Sequence, residues 1–413
     1  MELWNDPEDN TQPQENAGRG RTRRLTEPAT LAILRQWLLD GYVADYARSL
    51  AGTRIFRRCY FIDALGIATK GRNAARHPAV QPICTLAQVL LQESRPITLN
   101  GLLLAFGSSK RKDARLGERE AVSVPKESGI LNASWLEAAP SILQEVEQSP
   151  TIFLLNPFGH TLFTNEDVTA LYKRTAPTEL CLFLSHKQLE TLFLTAIRSP
   201  AYAILVTAVL RTDRWKALST RSAERKKTLH ALIDLFADSM KRHFVLPIQL
   251  ITLPVLMRPG VVEEMPCTLV FATRRQDSFA SMNNALCHYR RGVYAQRHHG
   301  VLNEEWFEMQ YKQRVERDQQ RLEAGLVQQG RAQQARRWPE LRQQQLAANF
   351  GNFLVAEYDA ILHRLLQNGV VRCEWRRPPS ADEGERLPAN DDTLRWTEEK
   401  NLQKERGGTR GKH

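Results

Sequence analysis

Arg57-Arg58-Cys59-Tyr60-Phe61-Ile62-Asp63-Ala64-Leu65-Gly66-Ile67-Ala68-Thr69-Lys70-Gly71 is the stretch that sets the fold class. Its first apolar residues run together and end in an acid, the pattern of a strand buried on both faces. Gly66 and Gly71 then mark a loop, and a helix is expected over about 80–92. Strand, glycine-bearing loop and helix together open a βαβ unit. The pattern repeats downstream, with strands expected at 102–106, 151–155 and 179–184 and helices at about 136–147 and 165–174. That alternation points to a parallel, Rossmann-like α/β sheet. After a mainly helical stretch at 187–245, late strands are expected at 245–251 and 267–272, joined through Pro259-Gly260, with a helix at about 277–290 beyond.

Upstream, Thr26 and Pro28 are start signals for a helix over 26–50. Residues 1–25 read as a disordered leader ending in a basic knot, and 26–300 as the α/β domain. Residues 301–350, rich in Gln, Arg and Glu, form a polar helical connector. In 351–399 a helix at 353–367 stops at Asn368-Gly369. Alternating segments at 370–375 and 393–396 flank a long acidic tip. Helix then hairpin is the second half of a winged helix. Residues 400–413 are a basic tail.

The 413 residues exceed what one core usually serves, and 42% hydrophobic with 25% charged residues is a globular composition. No run approaches the roughly 18 apolar residues of a membrane helix. The polar N-terminus has no apolar signal core, so a cytoplasmic protein is expected. The six cysteines form no CxxC pair, and His298-His299 has no spaced partner, so neither a disulfide framework nor a metal site is expected. A net charge of +11 favours an acidic partner, with DNA or RNA the first candidate.

Two segments could carry chemistry. In a methyltransferase-type Rossmann fold the loop after the first strand runs close to the methionine part of S-adenosylmethionine, and glycines allow that approach. Asp63, Gly66 and Gly71 are the residues here. Asn156-Pro157-Phe158-Gly159, at a strand end, has the form that holds a target nitrogen. An Asn side-chain oxygen and a backbone carbonyl accept its N–H bonds, and the aromatic ring stacks on a flat base. Asn-Pro is equally an ordinary turn dipeptide. His160 and His186 lie near sheet ends, where a satisfied loop histidine is the commoner role. In the winged-helix segment Arg364, Arg372, Arg376 and Arg377 could grip phosphates, although Asp382, Glu383, Glu385, Asp391 and Asp392 at the tip oppose DNA.

The order of these motifs resembles the three-Cys-motif partner family (TcmP). Leu31 to Leu38 is similar to its opening helix, and Tyr60-Phe61-Ile62-Asp63 to its Y-I-D-x-F-A-G-P-G. Phe153 to Gly159 is similar to its F-I-D-P-F-G, and Arg211 to Trp215 to its G-T-x-x-W. Leu269 to Thr273 with Met282 and Ala285 is similar to its L-I-F-A-T-x…M-x-x-A. The resemblance implies a class I methyltransferase-type fold with a C-terminal winged helix, a three-Cys-motif protein as partner, and S-adenosylmethionine as cofactor. The chain departs from the pattern. Leu65 to Thr69 replaces Phe-Ala-Gly-Pro-Gly, no acid stands near Phe106-Gly107-Ser108 to hold the ribose, Asn132 stands where the next acid is expected, and Asn156 replaces Asp. Loss of the ribose acid alone removes a charge-assisted bond of about 2–3 kcal/mol. The expectation is a protein- or nucleic-acid-binding partner with a degenerate cofactor loop. The alternative is an active methyltransferase on a nucleic-acid base, with Asn156, Pro157, Phe158 and Gly159 holding the target and Asp63, Gly66, Gly71 and Asn132 lining the cofactor.

Overall fold

The computed structural model describes residues 25–67, 78–105, 124–125, 127–159, 162–163, 165–300, 302–334, 336–377 and 386–397. The expected leader, basic tail, most of the acidic wing tip, Gly71, His160 and Phe106-Gly107-Ser108 lie outside them. The described chain divides into two compact units, 25–254 with 264–282, and 255–263 with the chain from 283 onward.

The first unit is built on a seven-stranded sheet. Its strands are β1 (Arg58–Ile67), β2 (Thr98–Ala105), β3 (Gly129–Leu131), β4 (Thr151–Leu155), β5 (Thr178–Ser185) and β6 (Gln249–Ile251). Two strands, β7 (Pro254–Arg258) and β8 (Val261–Glu264), pair apart from it, and β9 (Cys267–Ala272) returns to it. The order is β3-β2-β1-β4-β5-β9-β6. The first five strands are parallel, and β9 is antiparallel to both β5 and β6. A Rossmann-like mixed α/β fold results, with its strand order reversing between β1 and β4. The continuous apolar runs of β4 and β5 follow from that position. Helices cover both faces, so every residue of the two strands is buried. Gly101 on β2 lets α3 (Gln81–Gln92) lie close, because a Cβ there would collide with Ile83.

The expected helix at 26–50 is three pieces: α1 (Glu27–Trp37), a π-helical turn over Leu38–Val43, and α2 (Ala44–Thr53). The wider turn leaves Leu38, Leu39, Tyr42 and Val43 all buried, a broader face than regular α-helical spacing supplies. Next come α4 (Trp135–Glu145), α5 (Asn165–Tyr172), α6 (His186–Arg198), α7 (Pro200–Leu210), α8 (Arg225–Met240) and α9 (Gln276–Gln296). A capping box starts α4: the Ser134 hydroxyl accepts from the Glu137 N–H, and the Glu137 carboxylate accepts from the Ser134 N–H.

The second unit holds α10 (Glu304–Ala332), α11 (Trp338–Ala348), α12 (Val355–Gln367), and an antiparallel hairpin of β10 (Val371–Glu374) and β11 (Thr393–Trp396). The polar 301–350 stretch carries its own buried face through Leu322, Leu326, Trp338 and Leu341. Pro339 sits in the first turn of α11, where its missing N–H is harmless. Asp359 of α12 binds α11 twice, accepting from the Trp338 indole at 3.0 Å and from Arg342 at 2.8 and 2.9 Å. Gly330 packs against the Trp396 ring, where a Cβ would clash.

Candidate functional site

The crevice lies at the carboxyl ends of β1, β2 and β4, where the strand order reverses and open α/β sheets bind ligands. Gly66 from β1, Ala105 from β2, Asn156 just past β4 and Gln188 from the first turn of α6 line it. Trp135 and Leu136 of α4, with Phe163 and Phe183, add apolar walls. Among the described residues its volume is about 150 Å³. Gly66 adopts φ 84, a left-handed conformation that glycine takes without strain.

Asp63 is not a crevice wall. Its carboxylate is 2% exposed and held by Arg35 of α1, Nε to Oδ2 at 2.5 Å and Nη2 to Oδ1 at 3.2 Å. Arg35 Nη2 also donates to the Gly66 carbonyl at 3.0 Å, and Asp63 Oδ1 accepts from the Leu65 N–H at 3.0 Å. Asp63 and Gly66 thus both lie inside β1 rather than Gly66 in the expected loop after it, and Arg35 ties this part of the strand to the first helix.

The Asn156-Pro157-Phe158-Gly159 turn likewise bonds to itself. Asn156 Oδ1 accepts from the Phe158 N–H at 3.1 Å, and the Pro157 carbonyl accepts from the Phe163 N–H at 3.1 Å. Phe158 is 4% exposed and meets Phe236 edge-on at 5.1 Å, so its ring belongs to the core. Asn156 Nδ2 donates to Gln188 Oε1 at 2.9 Å, and Gln188 Nε2 donates to Glu27 Oε1 at 3.1 Å. This chain joins the end of β4 to the start of α1 by way of α6. Glu27 is the one carboxylate among the described lining residues, and the end of β2 contributes only Leu104 and Ala105. Asn132 follows β3 directly but is exposed, and its neighbours Ala133 and Ser134 line the crevice in its place.

Two of the four arginines proposed to meet phosphates have acidic partners. Arg364 pairs with Glu323 at 2.7 Å, and Arg376 with Asp391 at 2.9 Å. Arg395 pairs with Glu374 at 2.7 Å across the hairpin. Arg372 and Arg377 are exposed, and the Arg377 carbonyl accepts from Arg386. His186 turns its Nε2 to the Thr268 hydroxyl at 2.9 Å, and burial followed by the nearby His230 pushes it down to about 4. Among the described residues no group of three or more His, Cys, Asp or Glu is placed to hold a metal.

Sequence reasoning missed Arg35, Gln188 and Glu179. The signal for Arg35 is a cation one residue past Leu34 and three before Leu38, beside the apolar face of α1. Glu179 reads in sequence as a strand-end acid, yet it is fully buried, opposite Ile152 in the sheet. Neither carboxylate oxygen completes a hydrogen bond among the described residues. Burial pushes this carboxyl up to about 7, against the opposing pull of the Thr273 and Ser278 hydroxyls and of Arg275. No protein-family model, no curated protein and no solved structure matches this chain.

Proposed function

We propose that this chain is a binding protein on a methyltransferase-type frame, with a partner protein rather than S-adenosylmethionine as its ligand. An antiparallel strand inserted between β5 and β6, as β9 stands here, supports the methyltransferase-type reading of the Rossmann-like fold. The hairpin after α12 is compatible with the wing of a winged helix.

The observation that carries the non-catalytic reading is the Arg35–Asp63 pair. A cofactor would need backbone and carboxylate groups free at the end of β1, and Arg35 already engages both. The residues present do not fit S-adenosylmethionine, or a target base beside it, in two further respects. The described crevice, at about 150 Å³, is below the roughly 300 Å³ at which small-molecule pockets begin. The acceptors that would receive a target nitrogen at Asn156 and Pro157 already bind the N–H groups of Phe158 and Phe163. A protein partner is supported by the α6–α7 surface, where Leu194, Ile197, Tyr202, Ile204 and Leu205 are all exposed. Large apolar side chains exposed on two contacting helices are what an interaction face supplies. A three-Cys-motif protein is the partner that the resemblance implies.

Calorimetric titration of the full chain with S-adenosylmethionine at low salt tests the reading. The expected result is no heat of binding up to millimolar cofactor. Micromolar binding that disappears in Gly66→Val would overturn the proposal, restore the enzyme reading, and call for methyl-transfer assays on DNA and RNA.

A further inference from the structure

The cleft between the end of α9 and the start of α10 lies within the second unit and is independent of the crevice. Its volume is about 500 Å³, within the range of ligand sites. Five rings line it: Tyr294 from α9, His298 from the connecting loop, and Trp306, Phe307 and Tyr311 from α10. His298 stacks flat on Phe307, with centroids 3.8 Å apart and planes 7° apart. Trp306 stands edge-on to Phe307 at 5.0 Å and is 53% exposed. The stacked pair thus props up an indole that solvent reaches.

The remaining lining residues give the site its charge. Arg297, Lys312, Arg314 and Arg317 face two acids, Glu304 and Glu308. One of those acids is engaged, since Glu304 accepts from the Gly300 N–H at 2.9 Å. Trp306, Gln310, Arg314 and Arg317 are spaced by four, four and three residues, so they share one face of α10. At 1.5 Å per residue the stripe runs about 16 Å along the helix. An accessible ring at one end of a cationic stripe is the combination that binds unpaired bases and their phosphates. The chain's net charge of +11 has the complementary sign.

We infer that this cleft binds single-stranded nucleic acid, with a base stacked on Trp306 and phosphates along Arg314 and Arg317. Stacking selects single strands, because a duplex keeps its base faces covered. The arginines at the C-terminal hairpin, where Arg376 and Arg395 are paired with acids, are not the site.

Fluorescence anisotropy of the full chain with labelled 12-nucleotide oligo-dT and oligo-U tests the inference, with a 12-base-pair duplex and heparin as comparison polyanions. Both single strands are expected to bind, and binding of either one suffices to support the site. The duplex and heparin should bind at least about tenfold more weakly. Trp306→Ala should weaken single-strand binding by about tenfold or more, and Trp306→Phe should retain most of it. Arg314→Glu with Arg317→Glu should lower affinity and flatten its salt dependence. Arg372→Glu with Arg377→Glu should change nothing. Thermal melts establish that each variant is folded. Absence of binding to both single strands, equal affinity for duplex or heparin, indifference to Trp306→Ala, or loss in the hairpin variant instead would each overturn the inference.

Discussion

Arg35 closes on Asp63 through two bonds, Nε to Oδ2 at 2.5 Å and Nη2 to Oδ1 at 3.2 Å, and reaches past it to the Gly66 carbonyl at 3.0 Å. One side chain of the first helix thus holds both Asp63 and Gly66, in the second half of β1 where its register with β2 shifts. The Asp63 carboxylate is 2% exposed, so without Arg35 it becomes an uncompensated buried charge. Arg35→Ala is expected to cost about 3 kcal/mol, read as a lower urea midpoint. Arg35→Met with Asp63→Leu should recover most of that loss, because it removes both charges and keeps the volume. A single variant costing less than about 0.5 kcal/mol would mean that the pair is dispensable.

Glu179 gives the fold a pH dependence of definite sign. Its carboxyl is pushed up to about 7 by burial in the folded protein, against about 4.3 in the unfolded chain. Between those values the folded state holds a proton that the unfolded state has lost, so stability is full below about pH 4.3 and falls as pH rises through 7. The difference is on the order of 3 kcal/mol. His186 acts oppositely. It is held near 4 when folded, and it adds stability that is lost as pH falls from about 6.5. The two effects partly cancel near pH 5–6, so the comparison must be between variants. Denaturation midpoints of Glu179→Gln are expected to rise relative to wild type from pH 5 to pH 8. Parallel pH profiles for the two proteins would rule the assignment out.

Strands with unbroken apolar runs were legible: 151–155 and 267–272 appear in the structure at the expected positions. Signals vanish where a strand is short or a residue's role is set at long range. The three-residue β3 is too brief to show any period, and the π-helical turn at Leu38–Val43 mimics a continuous helix. Pro259-Gly260, read as a turn, is the tip of the β7–β8 hairpin, with Gly260 at φ 80. The unit boundary at 282/283 falls inside α9, so no Gly, Pro or change of composition marks it. At the crevice, the sequence pointed to Asp63, Gly66 and Asn156. It could not show that Arg35, 28 residues upstream, closes on that acid, or that Asn156 bonds within the turn after β4.

The α6–α7 face yields a prediction that separates surface from core. Ile204 is 71% exposed and its α7 neighbour Val206 is 3% exposed. Ile204→Asp should leave the melting temperature within about 2 °C of wild type, as exposed substitutions do. Val206→Asp should unfold the unit, because it buries an unpaired carboxylate. If the exposed face recruits the protein partner proposed above, a reconstituted complex with that partner should dissociate in Ile204→Asp. An unchanged complex, measured by light scattering, would move the interface elsewhere.

Gly330 and Trp396 set the distance between α10 and the C-terminal hairpin. A Cβ at 330 would strike the six-membered part of the indole, while nothing else in the helix requires glycine there. In the interior of an exposed helix Gly→Ala would ordinarily stabilise by about 1 kcal/mol. Here the collision reverses the sign, and overpacking should cost about 1–3 kcal/mol. The loss should be local. β11 is held to β10 by four register pairs and to the chain before α11 by the Leu394 N–H to the Arg336 carbonyl at 2.7 Å. Hydrogen exchange should therefore quicken in 371–374 and 393–396 of Gly330→Ala while the sheet of the first unit keeps its protection. Adding Trp396→Leu, which clears the space, should restore slow exchange. A Gly330→Ala variant as protected as wild type would show that the indole moves aside without cost, and the hairpin would then be a hinged element rather than a fixed one.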